Sequence, residues 1–445
     1  MPVTLYSNHL QHIMNYTERQ LQLNTLFQMG IDSHIEESNI DILFLSFKSE
    51  LQNSDNCKSM ISLIDNSILE NQSFLYPVFL PVGKPKSDKA ILLLHGLNER
   101  NWNKYLTWAE YLCKKTGKPV ILFPIAFHVN RSPQSWINPR EVSNTLNLRR
   151  QRNGDDRLLS FANVAFSERI SENPFRFYNS GRQSLCDLTQ LFQKIKSGLH
   201  PLFVENTQID IFAYSIGAFL AEITLMTNPL NLFSESKLFL FCGGGIFSAM
   251  FGQSRCIMDK MAYESLYNYY LNDFATDKNN NIRDKAFESF NSMISIERNK
   301  AEREMFFNQL GQKVKGISLS NDKVMPFYGV AEALGNDFAK SHIDVIDFSF
   351  DYSHENPFPV GKLFDCNEPG VANEQPREMR FQAAIGAAVE PCRDKCAECE
   401  KNIGFEFVRW GQTCLCSCQP AIPIGFYPKH RSEKPKPQSS RNDKD

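Results

Sequence analysis

Ser215 sits in Ala213-Tyr214-Ser215-Ile216-Gly217, between the apolar run 209–212 and the helix-like stretch 218–226. The order reads as strand, sharp turn, helix, with small residues two before and two after the serine. Such a turn bends tightly and leaves the hydroxyl exposed. A hydroxyl attacks a carbonyl poorly until an imidazole takes its proton, and the imidazole works best when a carboxylate fixes its tautomer and stabilises its charge. The chain offers both partners, Asp322 in Ser320-Asn321-Asp322-Lys323-Val324-Met325-Pro326 and His354 in Asp351-Tyr352-Ser353-His354-Glu355-Asn356-Pro357. The chemistry available to this set is acyl transfer through a covalent serine intermediate.

The elements that must hold these residues are legible as alternating apolar runs. Residues 90–94 form a continuous apolar stretch that stops at His95-Gly96, as a strand buried on both faces of a parallel sheet does. Trp102, Tyr105, Leu106, Ala109 and Leu112 recur at helical spacing, and 120–123 supplies another strand. Strand, helix, strand with short connections implies a parallel crossover. A helix through Leu185, Leu188, Leu191, Phe192 and Ile195 feeds the serine strand, and 237–241, 314–319 and 345–350 complete the series. Ser215, Asp322 and His354 then all fall just past strand ends, where open parallel sheets place their sites.

With the chain order Ser, Asp, His, the early His95-Gly96 turn and the loop Asp322-Lys323-Val324-Met325-Pro326, the sequence resembles the α/β-hydrolase superfamily over about residues 74 to 365. The resemblance implies a mostly parallel central sheet with helices on both faces and helical cap insertions. It also implies an oxyanion hole made by the N–H of Ile216 and one from the loop after the early strand, at Leu97 or Asn98, with Leu97 favoured. The implied activity is that of a serine esterase cleaving carboxylic esters, with a small-molecule acyl ester as substrate and no cofactor. Acyl transfer, thioester or peptide cleavage on the same three residues are alternatives, as is a non-catalytic hydrolase fold that binds a ligand.

Other candidates fit less well. Asp347 reads as lying inside a strand, Asp351 is close to His354 in sequence, and His342 precedes its strand at the wrong sheet edge. His95 is expected to support the oxyanion loop, and His128 to be a packing or surface residue with the pocket wall as its alternative. Two insertions, 124–179 and 246–312, are rich in aromatics. Most of these, Trp136, Phe161, Phe166, Phe175, Phe177, Tyr178, Tyr263, Tyr267, Tyr269 and Tyr270, are expected to pack the cap. Any facing the cleft would suit an acyl chain or aromatic ester. The arginines at 131, 140, 149, 150 and 152 read as a solvated surface rather than a carboxylate clamp.

The flanks differ from this domain. Residues 1–73 read as a helical extension with two or three helices, and 74–80 as an edge strand because of Pro77. Residues 366–445 read as a Cys-rich tail that is expected to be partly disordered. Its Cys392, Cys396, Cys399, Cys414, Cys416 and Cys418 have a first half that suits a zinc knuckle or an iron–sulfur ligand run and a second half that does not, so no metal is assigned. Cys57, Cys113, Cys186, Cys242, Cys256 and Cys366 are scattered and read as reduced thiols. Lys+Arg 48 against Asp+Glu 50 gives a net charge of -2, which offers no field for nucleic acid. No apolar run approaches a membrane span, no basic leader opens the chain, and a cytoplasmic location is the default expectation. Oligomeric state is not readable.

Overall fold

Ala90, Ile91, Leu92, Leu93 and Leu94 are all buried, and their side chains alternate between two separate apolar cores. Each leucine or isoleucine of this run contributes about 1.5–3 kcal/mol when removed from water, so a strand of this kind must lie inside a two-sided sheet. A computed structural model describes residues 16–50, 63–83, 85–154, 156–277 and 282–360. Its sheet has nine strands: β1 Ser33–Ile35, β2 Ile40–Lys48, β3 Ser73–Pro81, β4 Ser87–Leu94, β5 Val120–Leu122, β6 Phe203–Tyr214, β7 Leu238–Phe241, β8 Val314–Leu319 and β9 Ile343–Ile346. They lie in the order β1-β2-β3-β5-β4-β6-β7-β8-β9. The first three pairings are antiparallel and the rest parallel. This is the α/β-hydrolase architecture.

Helices cover both faces. Helices α1 (Tyr16–Leu26) and α4 (Asn103–Thr116) pack on one core with Ile91, Leu93, Phe212 and Tyr214. Helices α7 (Phe175–Lys196) and α8 (Ile216–Thr227) pack on the other with Leu92, Leu94, Ile211 and Ala213, as do α12 (Phe327–Leu334) and α13 (Asn336–His342). Two single turns, α2 (Leu63–Asn66) and α3 (Leu69–Gln72), precede β3. The first insertion carries α5 (Pro139–Asn153) and α6 (Val164–Glu172), and the second α9 (Lys260–Asn268), α10 (Lys285–Ser292) and α11 (Lys300–Leu310). Buried Arg149 ties the two together, bonding Asp259, Glu168 and Ser171.

Several expectations are corrected. Residues 33–35 and 40–48 are strands joined by a turn, not helix, and β2 pairs with β3 across nine residues. β3 is therefore interior to the sheet. It meets β5 only at Val78 and Phe79, so Pro77 lies outside that short ladder. β9 ends at Ile346, earlier than the apolar run suggests, and Asp347 lies past it, accepting from the Tyr352 hydroxyl at 2.8 Å. Arg131 and Arg149 are fully buried in ion pairs with Asp187 and Asp259, because partners far along the chain supply the charge that a local reading cannot see. Arg140, Arg150 and Arg152 are exposed. Cys186 is disulfide-bonded, whereas Cys113 and Cys242 are buried free thiols and Cys256 an exposed one. That bond removes the cysteine argument for a reducing compartment. Among the described residues no helix is long and apolar enough to cross a membrane. Cys57, Cys366 and the six clustered cysteines lie outside the described residues.

Candidate active site

The parallel strands β4, β6, β8 and β9 all end at the same sheet edge, and β4 is where the connections change direction, with β5 on one side and β6 on the other. A crevice opens at such a point. Ser215 follows β6 directly and has φ 56 and ψ -123, a conformation that costs a non-glycine residue about 1–3 kcal/mol. Its surroundings allow the bend. A Cβ on Gly217 would lie 2.7 Å from the His95 carbonyl oxygen, and one on Gly243 would lie 2.7 Å from the Ser215 oxygen and 2.6 Å from Ala218 Cβ. Glycine at both places lets α8 and the loop after β7 close around the turn.

The three residues singled out by type and order lie within hydrogen-bonding reach. Ser215 Oγ is 2.7 Å from His354 Nε2, and His354 Nδ1 is 2.7 Å from Asp322 Oδ2. Asp322 Oδ1 also accepts from the N–H groups of Val324 at 2.9 Å and Met325 at 2.8 Å. With Asp322 acting only as acceptor, Nδ1 carries the proton and Nε2 turns its lone pair to the serine hydroxyl. All three residues are nearly inaccessible to water, Ser215 at 3% exposure. Asp351 is exposed, and His342 bonds within α13 to the Phe338 carbonyl at 2.9 Å.

Ile216 is the first residue of α8, so its N–H is one of those that no intrahelical carbonyl can satisfy. Leu97 and Ile216 line the same two cavities. The Asn98 side chain is already occupied, donating to the carbonyls of Ala162 at 2.9 Å and Cys256 at 2.7 Å. Its contribution to an oxyanion site would have to come from the main chain. His95 accepts from the Ile125 N–H at 2.9 Å through Nε2 and bonds the Gly96 carbonyl through Nδ1 at 2.8 Å, which braces the Gly96-Leu97 turn. Burial holds its pKa well below the ordinary histidine value, with His128 adding to the effect.

Tyr214 escaped the sequence reading. Its hydroxyl donates to the His354 carbonyl, and its ring lies nearly parallel to the imidazole with centroids 5.6 Å apart. The variable position of the turn motif carries no signal of such a role. Nor did sequence single out Glu222, buried in α8 with both carboxyl oxygens lacking a hydrogen-bond partner among the described residues. Burial pushes its pKa well above the usual carboxylate range, and Arg303 offsets that only in part.

Two cavities meet at the site. The smaller contains Ser215 and is walled by Met250, Ile257, Met258, Leu266 and Met325. The larger takes in Trp136, Phe166, Phe177 and Tyr178 from the first insertion and α7, and His128. Leu97, Phe177 and Ile216 belong to both. Among the described residues no group of three or more His, Cys, Asp or Glu is arranged to hold a metal ion.

A model of the family described as "Family of unknown function (DUF6051)" matches residues 14–368. No curated protein matches the sequence. Among solved structures, the chain is similar to a bacterial heroin esterase at 11% identity and a TM-score of 0.41, covering 79% of this chain and 85% of that one. It is similar to an S-formylglutathione hydrolase from Agrobacterium tumefaciens at 14% identity and 0.39, covering 74% and 92%. Carboxyl esterase 2 from the mycorrhizal fungus Tuber melanosporum follows at 9% identity and 0.38, covering 72% and 78%. Likenesses this weak do not bear on activity.

Proposed function

The chain belongs to the family of unknown function DUF6051, and from the geometry of its site we propose that it is a serine hydrolase cleaving carboxylic esters of small molecules through an acyl-enzyme. The observation that carries the reading is the continuous pair of 2.7 Å contacts from Ser215 to His354 to Asp322. Ser215 Oγ attacks the carbonyl carbon while His354 Nε2 takes its proton, and Asp322 stabilises the imidazolium that forms. The carbonyl oxygen, now anionic, is held by the N–H groups of Ile216 and Leu97, with Asn98 as the alternative to Leu97. Each such donor is worth roughly 3–4 kcal/mol of barrier. The leaving alcohol takes the proton from Nε2, and water, deprotonated by the same nitrogen, then releases the acid. In this reading the insertions at about 124–179 and 246–312 form the cap over the ester.

A fluorophosphonate probe tests the proposal. Stoichiometric labelling mapped to the Ser215 peptide, abolished in Ser215→Ala together with hydrolysis of p-nitrophenyl butyrate, is the expected result. Folded protein that takes up no label would overturn it in favour of a binding role.

A further inference from the structure

We infer that the ester carries an apolar group on each side of its carbonyl, and that the larger is a flat aromatic group with a hydrogen-bond donor, seated between Gly181 and His128. This rests on the proposed hydrolase reading. The two cavities share Leu97 and Ile216, the residues whose N–H groups would hold the carbonyl oxygen. A carbonyl fixed there sends one substituent into each cavity. The smaller cavity is walled by carbon and sulfur, and the Tyr263 hydroxyl within it is spent on the Met250 carbonyl at 2.9 Å. A charged substituent finds no counter-charge in it.

The larger cavity has two features that packing alone does not account for. Gly181 lies in the interior of the 22-residue helix α7, where glycine is less stable than alanine, yet its φ is not in the left-handed region that would require it. A Cβ built there would meet nothing within 4 Å. What glycine preserves at that point is open space on the cavity wall. The second feature is His128. Its Nδ1 bonds the Ala126 carbonyl at 2.9 Å, which can only accept, so Nδ1 holds the proton. Nε2 is therefore an acceptor, buried on the same wall and without a hydrogen-bond partner among the described residues. Burial brings its pKa down to about 4, which keeps the ring neutral in an ordinary assay. Phe127, Trp136, Phe166, Phe219 and Phe290 supply faces for a planar group, and Arg169 is stacked on Trp136 at 4.1 Å.

The test uses the full chain and two ester series. One varies the acyl group of p-nitrophenyl esters from butyrate to 2-naphthoate, hydroxynaphthoate and methoxynaphthoate. The other varies the alcohol of butyrates from ethyl to 2-naphthyl, hydroxynaphthyl and methoxynaphthyl. Wild-type protein should favour the naphthyl member in one series, which identifies the arm. Gly181→Leu should lower the ratio of kcat/KM for naphthyl over the small ester by about 10- to 100-fold. His128→Phe should abolish the preference for the hydroxy over the methoxy compound. Should Gly181→Leu fold poorly by circular dichroism, Gly181→Ala should give a smaller drop in the same ratio, and 2-acetonaphthone should slow fluorophosphonate labelling of the wild type. Protein that labels and hydrolyses p-nitrophenyl butyrate, but shows no naphthyl preference or an unchanged ratio in the glycine variants, overturns the inference and leaves the hydrolase reading standing. Protein that neither labels nor hydrolyses any ester overturns both.

Discussion

Two carboxyl groups are buried on opposite sides of the serine turn, and their surroundings are opposite too. Asp322, in front, receives three donors, from Val324, Met325 and His354. Glu222, farther along α8, receives none among the described residues, and its Oε1 lies 2.8 Å from where a Cβ on Gly244 would stand. The nearest cation in charge terms, Arg303, spends its guanidinium on the carbonyls of Ala333, Ser292, Arg298, Ile296 and Glu332. Burial alone does not make a working carboxylate. Donors aimed at it do, and of these two groups the chain supplies them to the one that the proposed chemistry needs as an anion.

The largest expected effect is at the front. Asp322→Asn presents an amide in place of the acceptor, favours the wrong imidazole tautomer, and should reduce kcat by about 10⁴-fold with the fold intact. Turnover of p-nitrophenyl butyrate alongside circular dichroism measures it. Activity within tenfold of wild type would remove Asp322 from the reaction.

That carboxylate was legible because a loop after an apolar run in a repeating strand–helix order has few other places to go. The parallel strands were legible for the same reason, since 90–94 and 238–241 are buried on both faces and show no periodicity to misread. β2 was not, because Ile40, Leu43, Phe44 and Phe47 have helical spacing, and only the nine-residue pairing with β3 makes them strand. The burial of Arg131 and Arg149 was equally hidden, since Asp187 and Asp259 lie 56 and 110 residues away. Glu222 reads in sequence as an ordinary helix residue. Its isolation follows from what α8 packs against, which no local pattern records.

A second effect sets a buried histidine against the buried acid. His128 has its pKa lowered from 6.5 to about 4 by burial, so between those values the unfolded chain holds a proton that the native protein does not. Stability therefore falls as pH drops across that window, by on the order of 3 kcal/mol for this group. His95 is displaced in the same direction and adds to the loss. Urea midpoints at pH 4.5 and 7 should differ less in His128→Phe than in wild type, and an equal difference would mean that the native ring charges freely.

Adjacent glycines separate front from back more finely. Gly243 abuts the Ser215 main chain, whereas Gly244, at φ +87, abuts Glu222. Gly243→Ala and Gly244→Ala should each lose about 1–3 kcal/mol by urea titration, from crowding and, at Gly244, from the backbone as well. Only the first should slow fluorophosphonate labelling. Equal slowing in both would show the serine turn to be coupled to the back of α8.

The smallest effect has a sign that distinguishes it from ordinary core damage. Glu222→Gln keeps the shape of the protonated acid and removes its titration. In the unfolded chain a glutamate releases its proton above about 4.5, whereas in the folded protein burial holds the proton on to a much higher pH. Above that value the unfolded state binds fewer protons than the native state, so wild-type stability declines as pH rises, and the amide escapes this decline. The amide brings its own unpaired donors, which offset part of the gain. The net expectation is a variant stabilised by on the order of 1 kcal/mol at neutral pH, with a margin that grows from pH 5 to pH 8 in paired urea titrations and unchanged labelling of Ser215. A margin that stays flat with pH, or a variant less stable than wild type at pH 8, would mean that Glu222 is ionised in the folded protein and that the contrast with Asp322 does not hold.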